Sequence, residues 1–162
     1  MIKKPVNQRQ SIIVLVLFLL VAQQNVEAFQ TCKDNVVITI DRKTCFGDCP
    51  DYSAQIYSDG TVIYIGRFNV KEIGERRTKI SQQAIQELIK EFQRINYFAL
   101  KDKYETDENG MSVTDQATTT TSICLDGKKK TVVNYLYAPK ELDALEDKID
   151  SLAGLYKFLG PL

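Results

Sequence analysis

The sequence predicts an α+β fold, a mainly antiparallel sheet of five to six strands with two amphipathic helices packed on one face. Three observations predict it. Asp59-Gly60 and Asp126-Gly127 each separate two runs rich in β-branched residues, the pattern of a hairpin whose turn needs positive φ. Residues 81–95 and 139–152 carry apolar side chains at helical spacing. Two such stripes need one apolar surface to cover, and a hairpin-built sheet supplies it.

Along the chain, Val36-Val37-Ile38-Thr39-Ile40 opens as a strand, with Val36, Ile38 and Ile40 expected on one face. Residues 52–57 alternate and place Tyr52, Ala54 and Ile56 together. Asp59-Gly60 then predicts a type I′ turn, φ positive at both positions, into Thr61-Val62-Ile63-Tyr64-Ile65. A further short strand is expected over residues 68–73. Ser81 caps the first helix, Ile80 and Ile85 staple it, and Leu88, Ile89, Phe92 and Ile95 continue its stripe to an end near Asn96. A polar connection, 101–115, leads to a second hairpin of residues 117–125 and 129–137. Its Thr118–Thr121 stretch reads as an ordinary β-branched strand. Pro139 suits the first turn of the last helix, which aligns Leu142, Leu145, Ile149 and Leu152. The tail, 155–162, is expected to fray or to lie across the surface.

The chain has 162 residues, 21 basic against 21 acidic groups, four Cys and no His. Balanced charge gives no reason to expect nucleic acid or an anionic membrane as partner. Without His, Ser-His-Asp and Cys-His catalysis, His-ligated metals and imidazole switches are excluded. Residues 1–28 read as a signal peptide: Lys3, Lys4 and Arg9, an apolar run over 12–22, then Val26-Glu27-Ala28. As a helix that run rises about 16 Å, roughly half a bilayer core, which favours cleavage over a retained anchor and leaves no stable membrane span. The remaining residues, 29–162, form one domain of 134 residues with 18 basic and 20 acidic groups. Its place is exported, periplasmic or extracellular, where cysteines are oxidised.

The segment Cys45-Phe46-Gly47-Asp48-Cys49-Pro50 follows the first strand. With Tyr57-Ser58-Asp59-Gly60-Thr61-Val62, Val113-Thr114-Asp115, Val132-Val133-Asn134-Tyr135 and Ala138-Pro139-Lys140-Glu141-Leu142, it resembles the bacterial domain-of-unknown-function family 6438 over about residues 34–153. That family is marked by a C-F-G-x-C-P turn in exported proteins. The resemblance implies fold and export and carries no activity; Cys32 and Cys124 lie outside the matched motifs.

Physically, the C-x-x-x-C spacing brings two Cα atoms within the roughly 4.4–6.8 Å of a disulfide, with Gly47 as the flexible bend. Such a staple stabilises by about 2 kcal/mol through loop closure. Two alternatives stay open. A redox dithiol would use Arg42 and Lys43 to lower the Cys45 pKa, although Asp48 opposes this and the spacing is not C-x-x-C. A soft-metal site would need a third thiolate from Cys32 or Cys124. Of three possible pairings, Cys45–Cys49 with Cys32–Cys124 is favoured. Cys124 alternates onto the less apolar face of its strand, and Cys32 reaches it only if the first strand lies alongside 117–125. Free thiols are the alternative for this second pair.

Glu105, Asp107 and Asn109 before Gly110 superficially resemble a calcium loop, but the twelfth position is Gln116, so a solvated connection is the better reading. Lys128-Lys129-Lys130 reads as a run that blunts a strand edge. Tyr135 and Tyr137 are expected on one strand face. No carboxylate pair stands out among so many acidic groups. The expected function is a non-enzymatic exported binding domain without a cofactor, its partner a protein or an envelope component. The alternative is thiol-redox or soft-metal handling through Cys45 and Cys49.

Overall fold

The computed structural model of the chain describes residues 30–32, 35–107 and 109–160. The signal expected over 1–28 lies outside them. Eight described strands make one sheet: β1 (Gln30–Thr31), β2 (Val36–Lys43), β3 (Asp51–Tyr57), β4 (Thr61–Phe68), β5 (Gly74–Lys79), β6 (Lys103–Tyr104), β7 (Thr118–Leu125) and β8 (Lys128–Asn134). Their order is β1-β8-β7-β2-β3-β4-β5, with β6 also on β8. Every pairing is antiparallel except β6 with β8. The helices are α1 (Gln82–Arg94), α2 (Lys140–Leu152) and a single turn, α3 (Tyr156–Leu159). The strand count exceeds expectation because β1, β5 and β6 carry no apolar alternation to reveal them.

One sheet face holds the core. Ile38, Ile40, Tyr52, Ala54, Ile56, Val62, Tyr64, Ile123 and Val132 meet Ile85, Leu88 and Phe92 of α1 and Leu142, Leu145 and Ile149 of α2, all within 2% of complete burial. Both helices thus cover the same face, and α1 begins as predicted, with Ser81 Oγ accepting from the Ala84 amide at 3.1 Å. Its chain reverses at Asn96, which takes a left-handed conformation.

Local departures have physical causes. A register shift between Val36 and Ile38 removes Val36 from the expected face, and Val37 packs on the core instead. The first hairpin is not type I′: of Asp59 and Gly60 only Gly60 has positive φ (+88°). Asp59 instead accepts from the Thr61 amide and hydroxyl, both at 2.9 Å, which holds it in the ordinary turn region. Gly60 is required because a Cβ there would strike the Ile80 carbonyl. The second hairpin is the predicted kind, with φ positive at both Asp126 and Gly127.

The strand expected over 68–73 lies later, as β5. Asn69, at φ 52°, turns the chain, and residues 71 and 72 give their amides to the Leu159 and Phe158 carbonyls. Over its described residues, 155–160, the tail therefore packs into the fold instead of fraying or lying across the surface. Leu155 and Leu159 are buried, and Phe158 stacks on Tyr64 at 4.9 Å. Nor do Lys128–Lys130 blunt an edge, since β1 and β6 pair along the outer side of β8; the charged edge strand is β5.

Cys32 pairs with Cys124 at a Cα–Cα separation of 5.7 Å, and Cys45 with Cys49 at 5.5 Å. The condition for the first is met, because β2 runs antiparallel to β7. On the chain-entropy account, closing the 92-residue separation stabilises by about 4.5 kcal/mol against about 2 kcal/mol for the short turn. Replacing Cys32 and Cys124 by Ser should therefore lower the unfolding free energy roughly twice as much as replacing Cys45 and Cys49. Urea titration of the two double variants checks this.

Candidate functional site

At one end of the sheet β2, β4 and β8 finish while β3 and β7 begin, so four connections gather there. The Cys45–Cys49 turn leaves β2. Its Gly47 sits at φ 150°, outside the range of side-chain-bearing residues, and its amide bonds the Cys45 carbonyl at 3.0 Å. Pro50 then leads into β3. The base of the turn is clamped from β4: Arg67 reaches Asp51 and Asp41 and donates to the Arg42 carbonyl at 3.1 Å. Phe46, at the tip, is 91% exposed.

The neighbouring 113–117 segment touches this turn, since the Phe46 amide donates to the Asp115 carbonyl at 3.3 Å. Tyr135 holds the segment from the other side, its hydroxyl donating to the Val113 carbonyl (2.8 Å) and accepting from the Gln116 amide (3.2 Å). β8 stops at Asn134, so Tyr135 and Tyr137 do not share a strand face as expected. Tyr137 turns away at φ 64° and is exposed. Met111 and Val113 are exposed apolar residues of the same connection. The calcium-like stretch is internally satisfied, with Asp107 accepting from the Asn109 and Met111 amides. Among the described residues no group of three or more His, Cys, Asp or Glu is placed to hold a metal ion.

Behind the loops lies an ionic cluster that sequence reading did not single out. Strand alternation turns Arg42 toward α2, where its guanidinium meets Asp150 at 2.8 Å and Asp147 at 3.3 Å and donates to Thr119 Oγ1 at 3.1 Å. Glu146 lies 4.0 Å from Arg42 and takes a hydrogen of Asn134 Nδ2, 3.2 Å from each carboxylate oxygen; the same amide donates to Asp143 at 2.8 Å. Glu146 and Asp150 are each 3% exposed.

Burial pushes the Glu146 carboxyl up to about 7, against the opposing pull of Arg42 and Asn134. Asp150 is also raised by burial, less Arg42's attraction. Burial opposes the Arg42 charge, but Asp150 leads the neighbours that raise its pKa above the ordinary value. Tyr52 OH and Asp150 Oδ1 are buried without a partner of good geometry, yet they are neighbours, and each shifts the other's titration. A polar cleft of about 250 Å³ opens between this cluster and the 135–138 turn.

A sequence signal for the cluster did exist. Glu146 and Asp150 stand four residues apart on the stripe that also carries Leu142, Leu145 and Ile149, and a carboxylate on a buried stripe demands a partner. Which cation answers it depends on a contact 108 residues away along the chain.

A family model for a domain of unknown function, DUF6438, matches residues 36–153. No curated protein matches the chain. No helix among the described residues is long and apolar enough to cross a membrane.

Because the folded pKa of Glu146 lies above its ordinary 4.5, the folded state holds this proton more tightly than the unfolded chain. Its contribution to stability is complete below about pH 4.5 and is lost as pH rises through about 7. The loss amounts to up to about 3 kcal/mol. Glu146→Gln should flatten the stability profile over that window. Urea unfolding of both proteins from pH 4 to pH 8 checks it.

Proposed function

Since the chain belongs to the DUF6438 family, a domain of unknown function, we propose that it is a non-enzymatic exported binding domain, acting in the periplasm or outside the cell on a protein or envelope component. The observation that carries the reading is Phe46, nearly fully exposed on a loop closed by Cys45–Cys49 and braced by Arg67 and Asp115. A large aromatic side chain on a braced backbone loses little backbone freedom when it docks, so burial of its ring contributes to affinity. Met111, Val113 and Tyr137 add apolar surface on the same end of the sheet. Rigid loops on a sheet scaffold are the usual carriers of recognition.

The thiol-redox alternative has less support. The groups that would activate Cys45 are engaged elsewhere, Arg42 with Asp150 and Asp147, and Lys43 with Asp41 at 3.5 Å. Export is supported by the two cysteine pairs, which require an oxidising compartment.

A photo-crosslinking residue in place of Phe46 should trap one reproducible companion in intact cells, whereas the same residue at Asp126, on the opposite end, should trap none. Phe46→Ala should reduce recovery of that companion about tenfold or more. Equal trapping at both positions would count against the reading. In a redox titration followed by thiol alkylation, Cys45 and Cys49 should stay oxidised below about −300 mV. Opening near the −120 to −230 mV range of catalytic dithiols, roughly, would favour the redox alternative.

A further inference from the structure

We propose that the cleft between α2 and the 135–138 turn receives a cationic side chain, guanidinium or ammonium, of the partner protein; this rests on the binding reading above and names the chemistry of its partner. Size is the first argument. A space of about 250 Å³ falls below the roughly 300–1,000 Å³ of small-molecule sites and suits one side chain.

The second argument is the spare acceptor capacity of a buried carboxyl group. Glu146 lines the cleft, is 3% exposed, and has acceptor capacity for about four hydrogens. One Asn134 N–H, shared between its two oxygens, and the Thr119 hydroxyl serve it. The other Asn134 N–H goes to Asp143, and Arg42, hydrogen-bonded to Asp150, Asp147 and Thr119, approaches Glu146 only to 4.0 Å, beyond hydrogen-bond distance. Each oxygen has a partner, and the remaining lone pairs on the cleft side accept from a donor that enters it. The ligand that completes this cleft therefore brings donors.

The third argument is charge. Asp143, Glu146 and Asp147 line the cleft with Arg42, whose charge is already balanced by the buried Asp150 behind it. A cation restores neutrality where an anion would not. Tyr135 and Tyr137 border the same space, and aromatic rings favour guanidinium and ammonium groups. Tyr135 also anchors the 113–117 segment that touches Phe46, so one partner segment with a basic residue near an apolar one addresses both features.

The groups facing Glu146 are Arg42, Thr119 and Asn134 from the sheet, Asp143, Asp147 and Asp150 from its own helix, and Tyr97 from the turn after α1. An arriving cation stabilises the ionised carboxylate and releases its proton to solvent. Affinity should therefore rise with pH from 6 to 8.

The test titrates the folded protein with Nα-acetyl-arginine methylamide and, separately, with the neutral isostere Nα-acetyl-citrulline methylamide, following amide signals by NMR. The arginine probe should give saturable shifts at the Asn134 side chain, Thr119 and Tyr135, and the citrulline probe none. Asp143→Asn with Asp147→Asn, both exposed positions, should weaken the arginine probe about tenfold. Glu146→Gln should remove the rise with pH. Equal shifts from both probes, no saturation, or shifts away from the cleft would overturn the proposal. Failure here with companion trapping intact at Phe46 removes the cleft alone, whereas loss of trapping with a functioning cleft removes the binding reading.

Discussion

The arrangement depends on the central position of β2. It pairs with β3 on one side and with β7 on the other, joining the N-terminal meander to the C-terminal hairpin across a long stretch of chain. Ile38 and Ile40 then form the floor under both helices. Arg42, one alternation further, is delivered to α2. The end of the strand launches the Cys45–Cys49 turn, and its neighbour β7 presents Cys124 to Cys32. Displacing β2 by one residue would exchange its faces and bury Asp41 and Lys43 in place of Ile40 and Arg42.

Arg42 carries most of the electrostatic consequence. A guanidinium at the sheet–helix junction loses hydration, and removing it would leave two buried carboxyl groups uncompensated, the costly way to break such a cluster. Its attention is divided unequally. Asp150 receives the close contact at 2.8 Å and Glu146 a distant one at 4.0 Å. Identical chemistry four residues apart on one helix thus acquires two roles. Asp150 fixes the helix to β2, while Glu146 remains near its titration point and faces the cleft. Such division follows from environment rather than residue type.

The two ends of the sheet are built for different work. At one end the Cys32–Cys124 bridge ties the segment after β1 to β7, and the Asp126-Gly127 turn joins β7 to β8 by a compact connection. The other end gathers the disulfide-closed turn, the 113–117 segment and the 135–138 turn. Their backbones are cross-linked by Tyr135, Asp115 and Arg67, while Phe46 and Tyr137 remain in water. Stiffness of backbone with exposure of side chains is what recognition requires.

Much of this was readable from residue order. Ser81 and the stripe Ile85, Leu88, Phe92 specify α1 because caps and helical periodicity are local, and Tyr52, Ala54 and Ile56 specify the buried face of β3 because strand alternation is local. The short Cys45–Cys49 loop is local too. What stayed hidden needed distant partners. Strand β5, with Gly-Glu-Arg-Arg-Thr-Lys, has no apolar pattern and exists because β4 offers a free edge. The tail is held by Tyr64 and by the amides of residues 71 and 72, which donate to its Leu159 and Phe158 carbonyls. Glu146 and Asp150 looked like two more acids among many until β2 placed Arg42 beside them. By itself the sequence determined which segments fold as helix or hairpin, since those preferences act over a few residues. The tertiary structure decided which charges are buried together, since that depends on strand order and long-range contact.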